Sequence, residues 1–354
     1  MIKKTTITFI ICLIFHGIVA QSTFTFADSI RKVYGIPELA FAVVSSDVIY
    51  EMQTIGIKKI HSNLIANKYD RFRIGSNTKA ITGFIAARLV KQKKVEWNTK
   101  FFDLYPELKE KSNKAYHQLT LLNLLSFRTK LNKYTYTDEV PAKEQFIGNE
   151  DQQRYQFAQW FFQQKPVESK DSVNFSNLGY VAAGLMLEKV SGRFYKELVN
   201  DLGKELDINF GFGAPNSIDT LQPWGHDAEL KPEQLGDSYK LNWLLAAGNI
   251  NMSLPDEIKF IQLQLQGLKG GSKLLSKEEF NFLHFGLSKF SVGWFWLIDG
   301  NKQKYSYNQG NPGTFLSKIY VYKDKAFILF SNVQSDRADK GLDILFTDLK
   351  KRYN

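Results

Sequence analysis

The chain has 354 residues, with 46 lysines and arginines against 36 acids and a formal net charge of +10. Its one cysteine, Cys12, excludes an internal disulfide framework, and 44% hydrophobic with 14% aromatic residues excludes a disordered chain. The cations are spread along the sequence rather than gathered in one arm, so no nucleic-acid partner is expected.

The first residues carry Lys3 and Lys4, an apolar run from Ile7 to Ile14, and Ile18-Val19-Ala20 before Gln21. This is the pattern of a secretory signal peptide cleaved after Ala20, and the run is shorter than the roughly 20 residues a spanning helix needs. An exported protein, periplasmic or secreted, is expected. Cys12 lies inside the apolar core without the small residues of a lipoprotein cleavage site, so no stable membrane anchor is expected after cleavage.

Residues 21–354 contain no Pro/Gly/Ser-rich linker, internal repeat or low-complexity tract. A helix around Ala27 to Tyr34 is followed by strands Leu39 to Val44 and Val48 to Ile57 around Ser45-Ser46-Asp47. The segment from Arg73 turns at Gly75 into a helix with Ile81, Phe84, Ile85, Leu89 and Val90 at helical spacing. Helical spacing returns at His117 to Phe127, Asp151 to Gln164, Leu178 to Val190 and Phe194 to Leu202. A less regular stretch, Asn209 to Asn242, precedes helices Leu254 to Leu268 and Lys277 to Phe285. The first of these has Ser253 as N-cap and Pro255 at its start. Strands Val292 to Ile298, Lys304 to Asn308, Phe315 to Tyr322 and Ala326 to Asn332 follow, then a helix from Arg337 to Lys351. Strands at both ends and helices between predict one domain of the α+β kind. Its antiparallel sheet is assembled from the two ends, with a helical lobe inserted over roughly residues 95–250.

Ser76 and Lys79 stand three apart at the start of the Gly75 helix, on one face, so hydroxyl and amine come within hydrogen-bond reach. A serine becomes a nucleophile when a base takes its proton, and a desolvated lysine is such a base. Spacing alone also allows an ordinary helix-start serine with a solvated lysine, as at Ser29 and Lys32.

The stretch FRIGSNTKAITGFIAARLV resembles the first motif of the penicillin-recognising serine hydrolases, in the branch of class C β-lactamases, D-alanyl-D-alanine carboxypeptidases and related esterases. Further blocks follow in the expected order: FSNLGYVAAGLMLEKVSGRFYKELV from Phe175, QPWGH from Gln222, AAGNINMS from Ala246, VGWFW from Val292 and YNQGNPGTF from Tyr307. The resemblance implies a five-stranded sheet flanked by helices, an all-helical lobe, and a site in the cleft between them. It also implies Ser76 as the acylated nucleophile, Lys79 as its proton partner and Asn177 as a holder of substrate amide and lysine. The usual Tyr-x-Asn is here Phe175-Ser176-Asn177, without the phenol. In the third motif Tyr307 takes the lysine or histidine position, Gln309 replaces the first glycine, and Gly310 occupies the oxyanion position. Gln309 puts a long side chain where the family has none, so an altered approach of this strand to Ser76 is expected, and Tyr307 is a candidate to return a phenol to the site. Phe127, Arg128 and Lys130 replace the histidine, threonine and glycine of another family block.

His61, His117, His226 and His284 show no paired spacing, so neither a metal nor another cofactor is expected. Two readings remain open. One is a hydrolase forming an acyl-enzyme on a small amide or ester, whether D-alanyl peptide, β-lactam or ester. The other is a pseudoenzyme binding a peptide or cell-envelope ligand in the same cleft.

Overall fold

The computed structural model describes residues 23–235 and 239–353. The signal peptide expected over residues 1–20 lies outside the described residues. A helix over residues 23–33 (α1) leads into β1 (Glu38–Val44) and β2 (Ile49–Gly56), which pair antiparallel. The chain then runs through β3 (Arg71–Arg73) and a single 3-10 turn, Gly75–Asn77, into α2 (Thr78–Lys91).

Helices fill the middle: α3 (Leu121–Leu125), α4 (Glu150–Phe161), α5 (Asn177–Ser191) and α6 (Tyr195–Leu206). Next come β4 (Gly211–Phe212), α7 (Leu245–Gly248), β5 (Ile250–Ser253), α8 (Leu254–Lys269) and α9 (Lys277–Phe285). Strands β6 (Phe295–Ile298), β7 (Lys304–Gly310), β8 (Leu316–Val321) and β9 (Ala326–Ser331) precede α10 (Asp336–Tyr353).

The main sheet has six strands in the order β2-β1-β9-β8-β7-β6, one more than the five expected. Phe295–Ile298 pairs with Tyr307–Lys304 and adds the extra edge. A second, three-stranded sheet, β3-β5-β4, comes partly from the stretch expected to be irregular. The helix expected over His117 to Phe127 is only α3, because Thr120 caps it by accepting from the Asn123 amide and restarts the chain there.

All seven residues of β1 are buried, because both faces of the sheet are covered. Ala40, Ala42 and Val44 enter the larger core with α2, α5 and α8. Leu39, Phe41 and Val43 enter the smaller core under α1 and α10. A strand covered on both faces reads as a continuous apolar run, which is what ELAFAVV shows. Helix α2 is buried from Thr78 to Ala87 on every side, as a central helix must be, and Lys79 is carried into the interior with it.

Candidate active site

Gly75 sits at φ +52°, and a Cβ there would lie 2.8 Å from the Asn311 nitrogen and 3.0 Å from the Gly310 Cα. Only glycine lets the turn bend left-handed and also admit the end of β7 this closely. From the other side, a Cβ on Gly310 would stand 1.9 Å from the Ile74 carbonyl oxygen. The two glycines therefore clamp the 3-10 turn against the strand. Polar contacts fix the register: the Ser317 hydroxyl donates to the Ile74 carbonyl (2.7 Å), and the Asn77 amide donates to Ser317 Oγ (2.6 Å). Ser76 is left partly exposed while its neighbours Gly75 and Asn77 are buried.

The Lys79 Nζ lies 2.9 Å from Ser76 Oγ, 2.7 Å from Asn177 Oδ1 and 2.8 Å from the Ala247 carbonyl. The Asn177 amide nitrogen donates to the Tyr134 carbonyl (2.8 Å), which turns Oδ1 toward the lysine. Two of the three lysine contacts are thus to groups that only accept. A neutral amine has two N–H donors and one lone pair, and with both donors committed the lone pair faces Ser76 Oγ. Burial without a carboxylate partner pushes the Lys79 ammonium down to about 7, where the neutral form is populated at physiological pH.

Phe175 and Tyr180 place their ring centroids 5.4 Å from the Lys79 nitrogen. The Tyr180 hydroxyl donates to the Leu125 carbonyl (2.7 Å), and burial holds it well above the usual phenol range. Neither ring presents a phenol to Ser76. Phe127 packs against Phe175 (centroids 5.0 Å) and stacks on Phe290 (4.1 Å). It does so at φ +59°, an uncommon conformation for a bulky side chain, held by these contacts. The Arg128 guanidinium donates to the carbonyls of Ser126, Phe290 and Ser288, tying the α3 end to the segment before β6.

The pleat of β7 separates the third-motif residues. Ser306, Asn308 and Gly310 are buried on the face toward α2 and α9, while Gln309 faces α10 and donates to Asp339 Oδ1 (2.8 Å). The long side chain of Gln309 therefore does not disturb the approach to Ser76, contrary to the sequence expectation. Tyr307 shares that outer register. Its ring stacks on Phe295 (5.4 Å) and Tyr320 (6.4 Å), and Tyr320 stacks on Phe346 of α10. Its hydroxyl makes no hydrogen bond to Ser76, Lys79 or Asn177, so the structure does not bring Tyr307 into the group it was expected to join.

Sequence reasoning missed Asn308. Its amide donates to the carbonyls of Ser76 (3.1 Å) and Gly293 (2.7 Å), tethering the Ser76 peptide to the strand. Period-two counting from Gly310 points to this residue. Tyr136 was also missed: its hydroxyl donates to Asn311 Oδ1 (3.3 Å), and a Cβ on Gly313 would lie 2.9 Å from its ring. The loop that carries Tyr134 and Tyr136 thus spans from Asn177 to the β7 end.

The family described as Beta-lactamase matches residues 26–342 of this chain. Protein flp of Staphylococcus aureus (strain NCTC 8325 / PS 47) is 20% identical over 338 residues, which cover 90% of this chain and 64% of that protein. The chain therefore spans just under two thirds of that curated relative. Among solved structures, a β-lactamase from Sulfitobacter sp. EE-36 superposes with a TM-score of 0.75 at 16% identity, covering 94% of this chain and 99% of the other. FmtA from Staphylococcus aureus gives 0.74 at 18% identity, with 94% and 88% covered. The octameric penicillin-binding protein homologue from Pyrococcus abyssi gives 0.73 at 17%, with 92% and 77% covered. These likenesses establish the fold. With the family match spanning most of the chain, the protein belongs to the β-lactamase family of serine hydrolases.

Proposed function

We propose that the protein is an exported acyl hydrolase that cleaves a small amide or ester, such as a D-alanyl peptide, a β-lactam or an ester, through an acyl-enzyme on Ser76. The observation that carries this reading is the lysine geometry: Lys79 donates to Asn177 Oδ1 and the Ala247 carbonyl and holds its remaining position 2.9 Å from Ser76 Oγ. Neutral Lys79 accepts the hydroxyl proton as Ser76 Oγ bonds to the substrate carbonyl carbon. The carbonyl oxygen takes up the electron pair and is met by the Ser76 and Gly310 N–H groups at the clamped turn. As the tetrahedral adduct collapses, the bond to the leaving amine or alkoxide breaks and the Lys79 proton passes to it. Water then attacks the acyl-serine ester by the same proton path in reverse, releasing the acid.

No phenol is required in this scheme, because the lysine alone has the position and the proton affinity to act as base. The phenyl ring of Phe175 beside Lys79 favours a second reading, a cleft that binds its ligand without turnover. One experiment separates the two. The mature chain, with Ser76→Ala as control, is incubated with a fluorophosphonate probe and separately with a fluorescent penicillin, and its intact mass is measured. The hydrolase reading expects a one-equivalent adduct that the control lacks. A folded chain that gives no adduct with either probe supports the non-hydrolytic reading.

A further inference from the structure

Away from Ser76, the fold leaves a cavity of about 890 Å³ where the end of α8, the face of α9 and the β6–β7 and β8–β9 hairpins meet. Its floor is apolar, made by Leu268, Phe285 and the buried ring of Tyr322. Five lysines and one acid, Asp324, stand around it. Lys269 is paired with that acid at 3.6 Å, and Lys325 donates to the Tyr353 carbonyl. Lys277, Lys304 and Lys323 have no ion pair among the described residues. The Lys304 ammonium is held over the rings of Phe285 and Trp296, 4.3 and 4.4 Å from their centroids, and so is positioned at the rim rather than free to sweep away from it.

We infer that this cavity is a second binding site, separate from the Ser76 cleft, for an anion with an apolar body: a carboxylate, sulfonate or phosphate head joined to an acyl chain or ring. The three ammonium groups have no direct ion pair among the described residues, although Lys277 feels the exposed Glu278 carboxylate beside it. They stand over apolar ground and lower the free energy of an anionic head at the rim and of its hydrophobic body on the floor. A neutral apolar ligand would satisfy the floor and leave the cations as they are. A bare inorganic anion would leave the floor wet. Nearby Asp299 is already committed to Lys350, at 2.5 Å, and does not cancel the field of the rim. The lysines come from three separate stretches, 269–277, 301–304 and 323–325, and only the fold gathers them.

The test is a fluorescence titration of the mature chain with anilinonaphthalene sulfonate, alongside uncharged phenylnaphthylamine of the same ring system. Wild type is expected to show one saturable site for the sulfonate, weakened on raising salt and unchanged in Ser76→Ala. The single substitution Lys323→Glu, on an exposed hairpin, should weaken it about threefold. The triple substitution Lys277→Glu, Lys304→Glu, Lys323→Glu should weaken it about tenfold or more, with an unaltered circular dichroism spectrum. Equal affinity for the uncharged compound overturns the proposal, as does a Lys323→Glu chain that binds as wild type. Loss of binding in Ser76→Ala would put the probe in the catalytic cleft and overturn it too.

Discussion

At the scale of single residues, the chemistry turns on how many acceptors surround one nitrogen. Burial in α2 lowers the basicity of Lys79, and the two oxygens that cannot donate take its N–H groups and leave its lone pair directed at Ser76. The neutral base form grows as pH rises through about 7, and the acylation rate of Ser76 by a fluorophosphonate should rise with it and level off above. Lys79→Arg, which keeps the charge and cannot deprotonate in this range, is expected to lose at least about a hundredfold in rate and to lose the inflection. Phe175→Tyr sets a hydroxyl on a ring whose centroid is 5.4 Å from the same nitrogen. A second proton carrier there should raise acylation by about tenfold, read as a second-order rate with the same probe. Tyr307→Phe is expected to leave that rate unchanged, since its ring belongs to the stack running through Tyr320 to Phe346.

At the scale of elements, the site is a strand end pressed onto a turn. The Gly310 Cα approaches the Ile74 carbonyl so closely that any side chain must push β7 away from Ser76. Gly310→Ala should therefore lower stability by about 1–3 kcal/mol in chemical denaturation and reduce acylation more than stability alone explains. Asn308→Ala removes two donors to backbone carbonyls and frees the Ser76 peptide. It should cost about 1–3 kcal/mol, and acylation should fall while the pH inflection near 7 stays in place, because Lys79 keeps its partners. A shift in the inflection would show that Asn308 acts on the lysine and not on the turn.

At the scale of the whole molecule, buried titratable groups outside the site act on stability against pH with opposite signs, as His284 and Glu257 illustrate. His284 bonds Ser306 Oγ (2.6 Å) and Gln264 Oε1 (3.2 Å) and stacks on Trp294, and burial pushes its imidazole down to about 3. An unfolded histidine titrates near 6.5, so between the two values the unfolded state binds more protons, and stability is lost as pH falls below about 6.5. At about pH 4.5 that loss is about 2–3 kcal/mol, and His284→Gln should flatten this limb in denaturant melts. Burial raises the Glu257 carboxyl to about 8. The native state then holds an extra proton between the ordinary carboxylate range and about 8, so stability falls as pH rises through that window. Glu257→Gln should make that decline shallower, with the buried Glu38 and Glu188 carboxyls, also raised by burial, keeping the rest of it.

The sequence by itself determined much of the order of elements and the nearness of Ser76 to Lys79. The apolar run of β1, the paired strands at the C-terminal end and the i, i+3 placement of Ser76 and Lys79 are local patterns, and local patterns survive into the fold. Asn177 was legible only through the family resemblance of Phe175-Ser176-Asn177, and the fold places it at the start of α5 with its Oδ1 on Lys79. Whatever depended on which way a side chain leaves a strand, or on segments far apart in sequence, was decided by tertiary structure. Asn308 faces Ser76 and Tyr307 does not because the pleat alternates. The strand read over Val292 to Ile298 became the sixth of the main sheet, against the five that the resemblance implies, because Phe295–Ile298 pairs along the edge of β7. The cationic rim over Leu268 and Phe285 exists because three distant stretches end at one corner of the sheet. Spacing along a chain carries no information about which distant segments meet, since that is set by how the sheet and helices cover one another's apolar faces.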